Sequence, residues 1–89
     1  MYSVRSVQRA INLLDKLCMA GEMSVTELSD ATGLHKSTVH RLLATLETEQ
    51  IVRQNPYNGR YRLGLKLMVL GAAATRSIEI RSIARPHLE

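Results

Sequence analysis

Between residues 36 and 46 the chain sets Lys36, Ser37, Thr38, His40, Arg41 and Thr45 among apolar Val39, Leu42, Leu43 and Leu46. At ~100° per residue on a helix, the four apolar side chains gather in one direction. Ser37, Arg41 and Ala44 fall opposite, flanked by Thr38, His40 and Thr45. Small residues let a helix come close to a groove. Hydroxyls reach phosphates or base edges, and a guanidinium matches guanine O6 and N7 bidentately. Lys36 stands near the helix start, where backbone N–H groups and the dipole also attract phosphate. The chemistry this face could perform is readout of a DNA major groove; the plain alternative is a solvated helix surface.

A second basic group follows. Arg60 and Arg62 alternate with Tyr61 and Leu63, so the period of a strand puts both guanidinium groups on one face. Arg53 comes from the preceding β-prone run, 51–54, and Asn55-Pro56-Tyr57-Asn58-Gly59 between the runs reads as a hairpin turn. A basic hairpin directly after an amphipathic helix has the geometry of a wing lying over neighbouring backbone or minor groove. An edge strand protected by charge is the alternative. The charge distribution fits a wing: residues 1–50 hold five bases against six acids, whereas residues 51–89 hold seven bases against two.

Other chemistries find little support. His35 and His40 lie five apart, roughly 140° around a helix, and so share no face for a metal. Ser37 has no His and Asp arranged around it, and neither a Gly-rich phosphate loop nor paired catalytic carboxylates occur. No catalytic residue, metal or cofactor is expected. Cys18 is expected to be a small buried hydrophobe on the inner side of the first helix.

These side chains need elements to hold them, and 89 residues allow one small domain. With 45% hydrophobic and 22% charged residues the composition is that of a folded soluble chain. No apolar run approaches the ~20 residues of a membrane span, so a cytoplasmic module is expected. Ser6 is expected to cap a first helix over about residues 7–19, with Val7, Ala10, Ile11, Leu14, Leu17 and Cys18 inward and Gly21 as its stop. Ser24-Val25-Thr26-Glu27 matches a capping box for a short second helix, with Leu28 and Ala31 inward, ending at Thr32-Gly33. Ser29, Gly33, Leu34 and Val39 have the spacing of a helix-turn-helix, and Gly64 to Ser77 reads as a last helix. That last helix is apolar nearly all round. A second copy of the chain is expected to cover it at Leu67, Leu70, Gly71 and Ala74.

The fold class is therefore mainly α with a small β-hairpin: a winged helix-turn-helix over residues 1–63, then a segment over 64–89 that opens with the linker helix. Several runs resemble the N-terminal DNA-binding domain of IclR-type transcriptional regulators. They are Ser6-Val7-Gln8-Arg9-Ala10-Ile11, Thr26-Glu27-Leu28, Thr32-Gly33-Leu34, Lys36 through Leu46, Tyr61-Arg62-Leu63-Gly64, and Ala84 through Glu89. The resemblance implies a dimer or tetramer on a pseudo-palindromic operator and a small-molecule effector bound by a separate C-terminal domain, which the sequence does not contain. It departs from the family at His35, where Pro is usual. The expected contacts with double-stranded DNA are Ser37, Thr38, His40 and Arg41 in the groove and Thr45 at its rim. Lys36, Arg60 and Arg62 are expected on phosphate or minor groove, and Ser6 and Thr26 as secondary phosphate contacts. A winged-helix protein–protein adaptor, with the same core and no DNA contact, is the alternative.

Overall fold

The structure, a computed structural model, describes the backbone of residues 4–84 and the side chains of residues 4–78. Arg85 to Glu89, part of the family resemblance, lie outside the described residues. The elements run α1 (Arg5–Ala20), α2 (Val25–Thr32), α3 (Lys36–Thr48), β1 (Val52–Gln54), β2 (Tyr61–Leu63) and α4 (Leu65–Ala84). The strands pair antiparallel with Val52 opposite Leu63, Arg53 opposite Arg62 and Gln54 opposite Tyr61. Met23, in the loop between α1 and α2, adds a bridge to Tyr61 through N–H···O bonds of 3.0 and 2.8 Å. The wing is thus pinned on one side by the loop before α2.

The core is built from Leu13 and Leu17 of α1, Leu28 of α2, Val39 and Leu43 of α3, Val52 of β1 and Tyr61 of β2. Leu34, Leu42 and Leu46 pack against it from the turn and from α3, as the stripe on that helix requires. Burying each such side chain stabilises the fold by roughly 1.5–3 kcal/mol before entropy is counted.

Four inward assignments are corrected. Val7, Ile11 and Cys18 of α1 are exposed, and Leu13 is the fully buried residue the expected stripe lacked. The apolar arc of α1 is wider than its own domain can cover, and α2, α3 and β2 take the Leu13–Leu17 side of it. Ala31 is exposed as well, since α2 has eight residues and buries only Leu28. Nor does Ser6 cap α1. The helix starts two residues earlier than expected, Val4 occupies the N-cap position, and Gln8 N–H donates to the Val4 carbonyl at 3.1 Å.

Candidate nucleic-acid interface

The turn before α3 is held by side chains as well as by backbone. Ser24 accepts from Glu27 N–H at 3.1 Å while Glu27 Oε1 accepts from Ser24 N–H at 2.9 Å, completing the capping box. At the other end of α2, Gly33 takes φ 78°, the left-handed conformation that glycine adopts without penalty. Ser29 Oγ then donates to the Leu34 carbonyl, and Thr32 Oγ1 donates to Leu28 O at 2.7 Å while accepting from Leu34 N–H at 3.3 Å. Ser29 holds its place in the helix-turn-helix spacing. The hydroxyl does the further work of tying α2 to the residue that leads into α3.

So held, α3 turns Val39 and Leu43 into the core and leaves Lys36, Ser37, His40, Arg41, Ala44 and Thr45 exposed, with Thr38 half-buried. Thr45 Oγ1 donates to the Arg41 carbonyl at 3.2 Å. Among the described residues the ion pairs involve Arg60 and Arg62 with Glu27 and Glu22, so Lys36 and Arg41 have no carboxylate partner. A cleft of about 240 Å³ brings Ser6 and Arg9 of α1 beside Thr38, Arg41 and Thr45. Arg9 was missed in sequence because it sits on the polar side of α1, where nothing distinguishes it from a solvated residue. Thr26 is exposed in the first turn of α2.

The wing is wired differently. Arg60 lies 2.7 Å from Glu27 Oε1 and donates to the Glu22 carbonyl at 3.2 Å, and Arg62 lies 3.8 Å from Glu22 Oε2. Glu22 also accepts from Asn55 and Asn58 at the ends of the wing turn, at 3.4 and 3.3 Å. Those amide bonds, aided by Arg62 and Arg60, hold the Glu22 carboxyl below its ordinary value of 4.5. The Ser24 backbone N–H, with Arg60 behind it, does the same for Glu27. Both carboxylates therefore stabilise the folded state fully above their ordinary range, and the contribution is lost as pH falls through the lowered values. The thermal midpoint is expected to hold level down to about pH 5 and then fall. In an acid titration followed by circular dichroism, Glu22→Gln with Glu27→Gln should shorten that fall; an unchanged profile would show that other carboxylates govern it.

Arg53, opposite Arg62 in the hairpin, is exposed and completes the basic side of the wing. Asn55 Oδ1 accepts from Tyr57 N–H at 2.8 Å and Asn58 Oδ1 from Arg60 N–H at 2.9 Å, so the turn is stiffened by its own side chains. Tyr57 stands 96% exposed at its tip.

Next to the cleft beside Arg41, and sharing Ser6 and Thr45 with it, α1, α3 and α4 enclose an apolar groove of about 560 Å³ lined by Val7, Ile11, Leu14, Leu46, Leu67 and Leu70, among others. Leu67 is half-buried; Leu70, Gly71 and Ala74 are exposed, as are Leu65, Met68 and Val69. Among the described residues no helix is long and apolar enough to cross a membrane, and no group of His, Cys, Asp or Glu is gathered as a metal site.

Residues 6–56 match the family of the IclR helix-turn-helix domain. Over 86 residues the chain is 45% identical to the HTH-type transcriptional regulator XynR of Escherichia coli, covering 96% of this chain and 34% of that protein. An IclR transcriptional regulator from Alicyclobacillus acidocaldarius superposes with a TM-score of 0.79 at 39% identity, over 82% of this chain and 30% of that one. An IclR family regulator from Brucella abortus gives 0.80 at 31% identity, over 94% and 32%. The chain thus spans about a third of the length of these relatives. With a left-handed glycine between α2 and α3, a hairpin behind them and this degree of identity, the chain belongs to the IclR family of helix-turn-helix DNA-binding domains.

Proposed function

We propose that the chain is the sequence-reading part of a transcriptional regulator, with α3 in the major groove of double-stranded DNA and the wing on the adjacent backbone or minor groove. The carrying observation is the outward face of α3: two cations with no carboxylate partner among the described residues, small hydroxyls, and Ala44, on a helix fixed by the capping box and by the Ser29 and Thr32 bonds. Ser37, Thr38, His40 and Arg41 meet base edges, with Thr45 at the rim. Lys36 meets phosphate at the start of α3, and Ser6 and Thr26 serve as secondary phosphate contacts. Arg60 and Arg62 belong to the wing side of the same interface. Residues 1–63 form the reading unit and residues 64–89 the linker to an effector-binding domain of the whole protein, which acts in the cytoplasm.

The reader works as a homodimer. Val7, Ile11, Leu67 and Leu70 present a continuous apolar face of a kind that single domains rarely leave in water. A two-fold contact through it, with Gly71 and Ala74 permitting close helix approach, would place two α3 helices on an inverted repeat. Leu70→Glu is expected to give monomers in sedimentation velocity at concentrations where the unaltered chain dimerises. A persisting dimer would move the interface elsewhere.

Selection from a randomised duplex pool at moderate salt tests the function itself. Recovery of half-sites about one helical turn or a multiple apart is expected. Recovery of nothing above background, with Arg41→Glu leaving a protein partner bound, would favour the adaptor.

A further inference from the structure

We propose that Glu22 and Glu27 are positioning residues for DNA recognition: they draw Arg60 and Arg62 into internal ion pairs, set the wing against α2, and so make the wing selective rather than merely adhesive. The inference rests on the DNA-binding reading above.

Arg60 and Arg62 are two of the cations that give the second half of the chain its positive excess, and both are matched by acids from the first half. The Arg60 guanidinium bonds the Glu27 carboxylate at 2.7 Å and the Glu22 backbone carbonyl at 3.2 Å, and Arg62 faces the Glu22 carboxylate at 3.8 Å. Glu22 reaches both ends of the wing turn through Asn55 and Asn58, at 3.4 and 3.3 Å. Its neighbour Met23 bridges Tyr61 with two backbone bonds. Glu27 in turn belongs to the capping box that starts α2. The acids therefore connect the tip and base of the wing to the helix that is tied, through Ser29 and Thr32, to the entry of α3.

These side chains are substantially exposed, 37% for Arg60 and 47% for Glu27, so the pairs add little to stability. Their consequence lies in geometry and charge. An arginine held by a carboxylate brings less net charge to any phosphate it meets, whatever the sequence. A wing locked against α2 meets DNA in one orientation relative to α3. Acids beside a polyanion repel it, so their removal ought to strengthen binding to every duplex equally if they were bystanders. A positioning role requires the opposite for the preferred site.

The test uses Glu22→Gln, Glu27→Gln and the pair of changes. Gln at position 27 still satisfies the capping box, and Gln at 22 keeps one oxygen to accept from one of the two asparagines, so the charge is removed while most of the hydrogen bonds are kept. Fluorescence anisotropy is measured across a salt series on the duplex selected by the unaltered chain and on a random-sequence duplex of equal length. For the double variant, affinity for the random duplex is expected to rise about threefold to tenfold, with a salt slope steeper by about one to two units as two arginines are released. The preference for the selected duplex is expected to fall about tenfold or more, because the freed wing no longer shares one frame with α3. Loosened folding would lower both affinities and a bystander role would raise both, so a rise on random DNA together with the lost preference marks positioning. A parallel change on both duplexes, in either direction, overturns the proposal. Failure of the unaltered chain to prefer any duplex overturns the DNA-binding reading instead.

Discussion

Arg41→Ala should lower affinity for the selected duplex by about 1–3 kcal/mol, roughly tenfold to more than a hundredfold, and relax preference at one base pair. Arg41 is exposed at the centre of the α3 face, has no carboxylate partner among the described residues, and borders the cleft shared with Ser6 and Arg9. Its guanidinium is therefore available to take two acceptors of one guanine, a geometry that lysine cannot copy. Alanine leaves the helix intact, being the best helix former, so the loss is one of contact and not of fold. Competition with single-base variants of the selected site separates two outcomes. Loss of discrimination at one position identifies a base contact. An equal loss on random DNA would make Arg41 a phosphate clamp.

Gly64→Ala is expected to destabilise the domain by about 1–3 kcal/mol, since the new methyl has nowhere to go. A Cβ there would stand 2.4 Å from the Gln50 carbonyl oxygen and 3.0 Å from the carbonyl carbons of Gln50 and Ile51. All three are backbone atoms, in a segment that is already constrained: Gln50 sits at φ 62°, and Gly64 N–H donates to Ile51 O at 2.7 Å. Lys66 N–H donates to Gln50 O at 3.1 Å, so the same contact docks the start of α4. The methyl must push β2 and α4 away from the end of α3. In thermal melts this corresponds to a drop on the order of 5–20 °C for a domain of this size. A midpoint within about a degree of the unaltered chain would show that the junction yields at little cost.

What could be read from residues alone divides along physical lines. Short-range signals served well, because a capping box, a left-handed glycine and a stripe at helical spacing act within one or two turns. Ser24 with Glu27, Gly33, and Val39 with Leu43 all stand where their spacing put them. Gly59, at φ 75° in the wing turn, does the same for the Asn-Gly pair. Signals that depend on which face a neighbour covers served less well. The apolar arc of α1 contains two overlapping stripes, and only packing decides between Leu13 and the pair Val7 and Ile11. Gly64 passed as an ordinary residue because its need is a close approach of distant backbone, not a turn.

The interface shows the same division. The α3 face was legible because one helix carries it. The engagement of Arg60 and Arg62 by Glu22 and Glu27 was not, since those partners are 33 or more residues away in sequence and meet only once the loop before α2 pairs with the wing. Alternation in a strand says which side a charge faces and nothing of what waits there. Arg9 is a similar case, brought beside Arg41 by the crossing of α1 over α3.

Methylation interference on the selected duplex tests the central claim most directly, that α3 reads bases from the major groove. Methyl groups at guanine N7 lie in that groove, and those at adenine N3 lie in the minor groove. Guanine N7 methylation within each half-site is expected to abolish binding, and Arg41→Ala should erase the effect at one guanine. Binding that tolerates every N7 methyl and is lost only on phosphate ethylation would contradict the claim, leaving a domain that grips the DNA backbone without reading it.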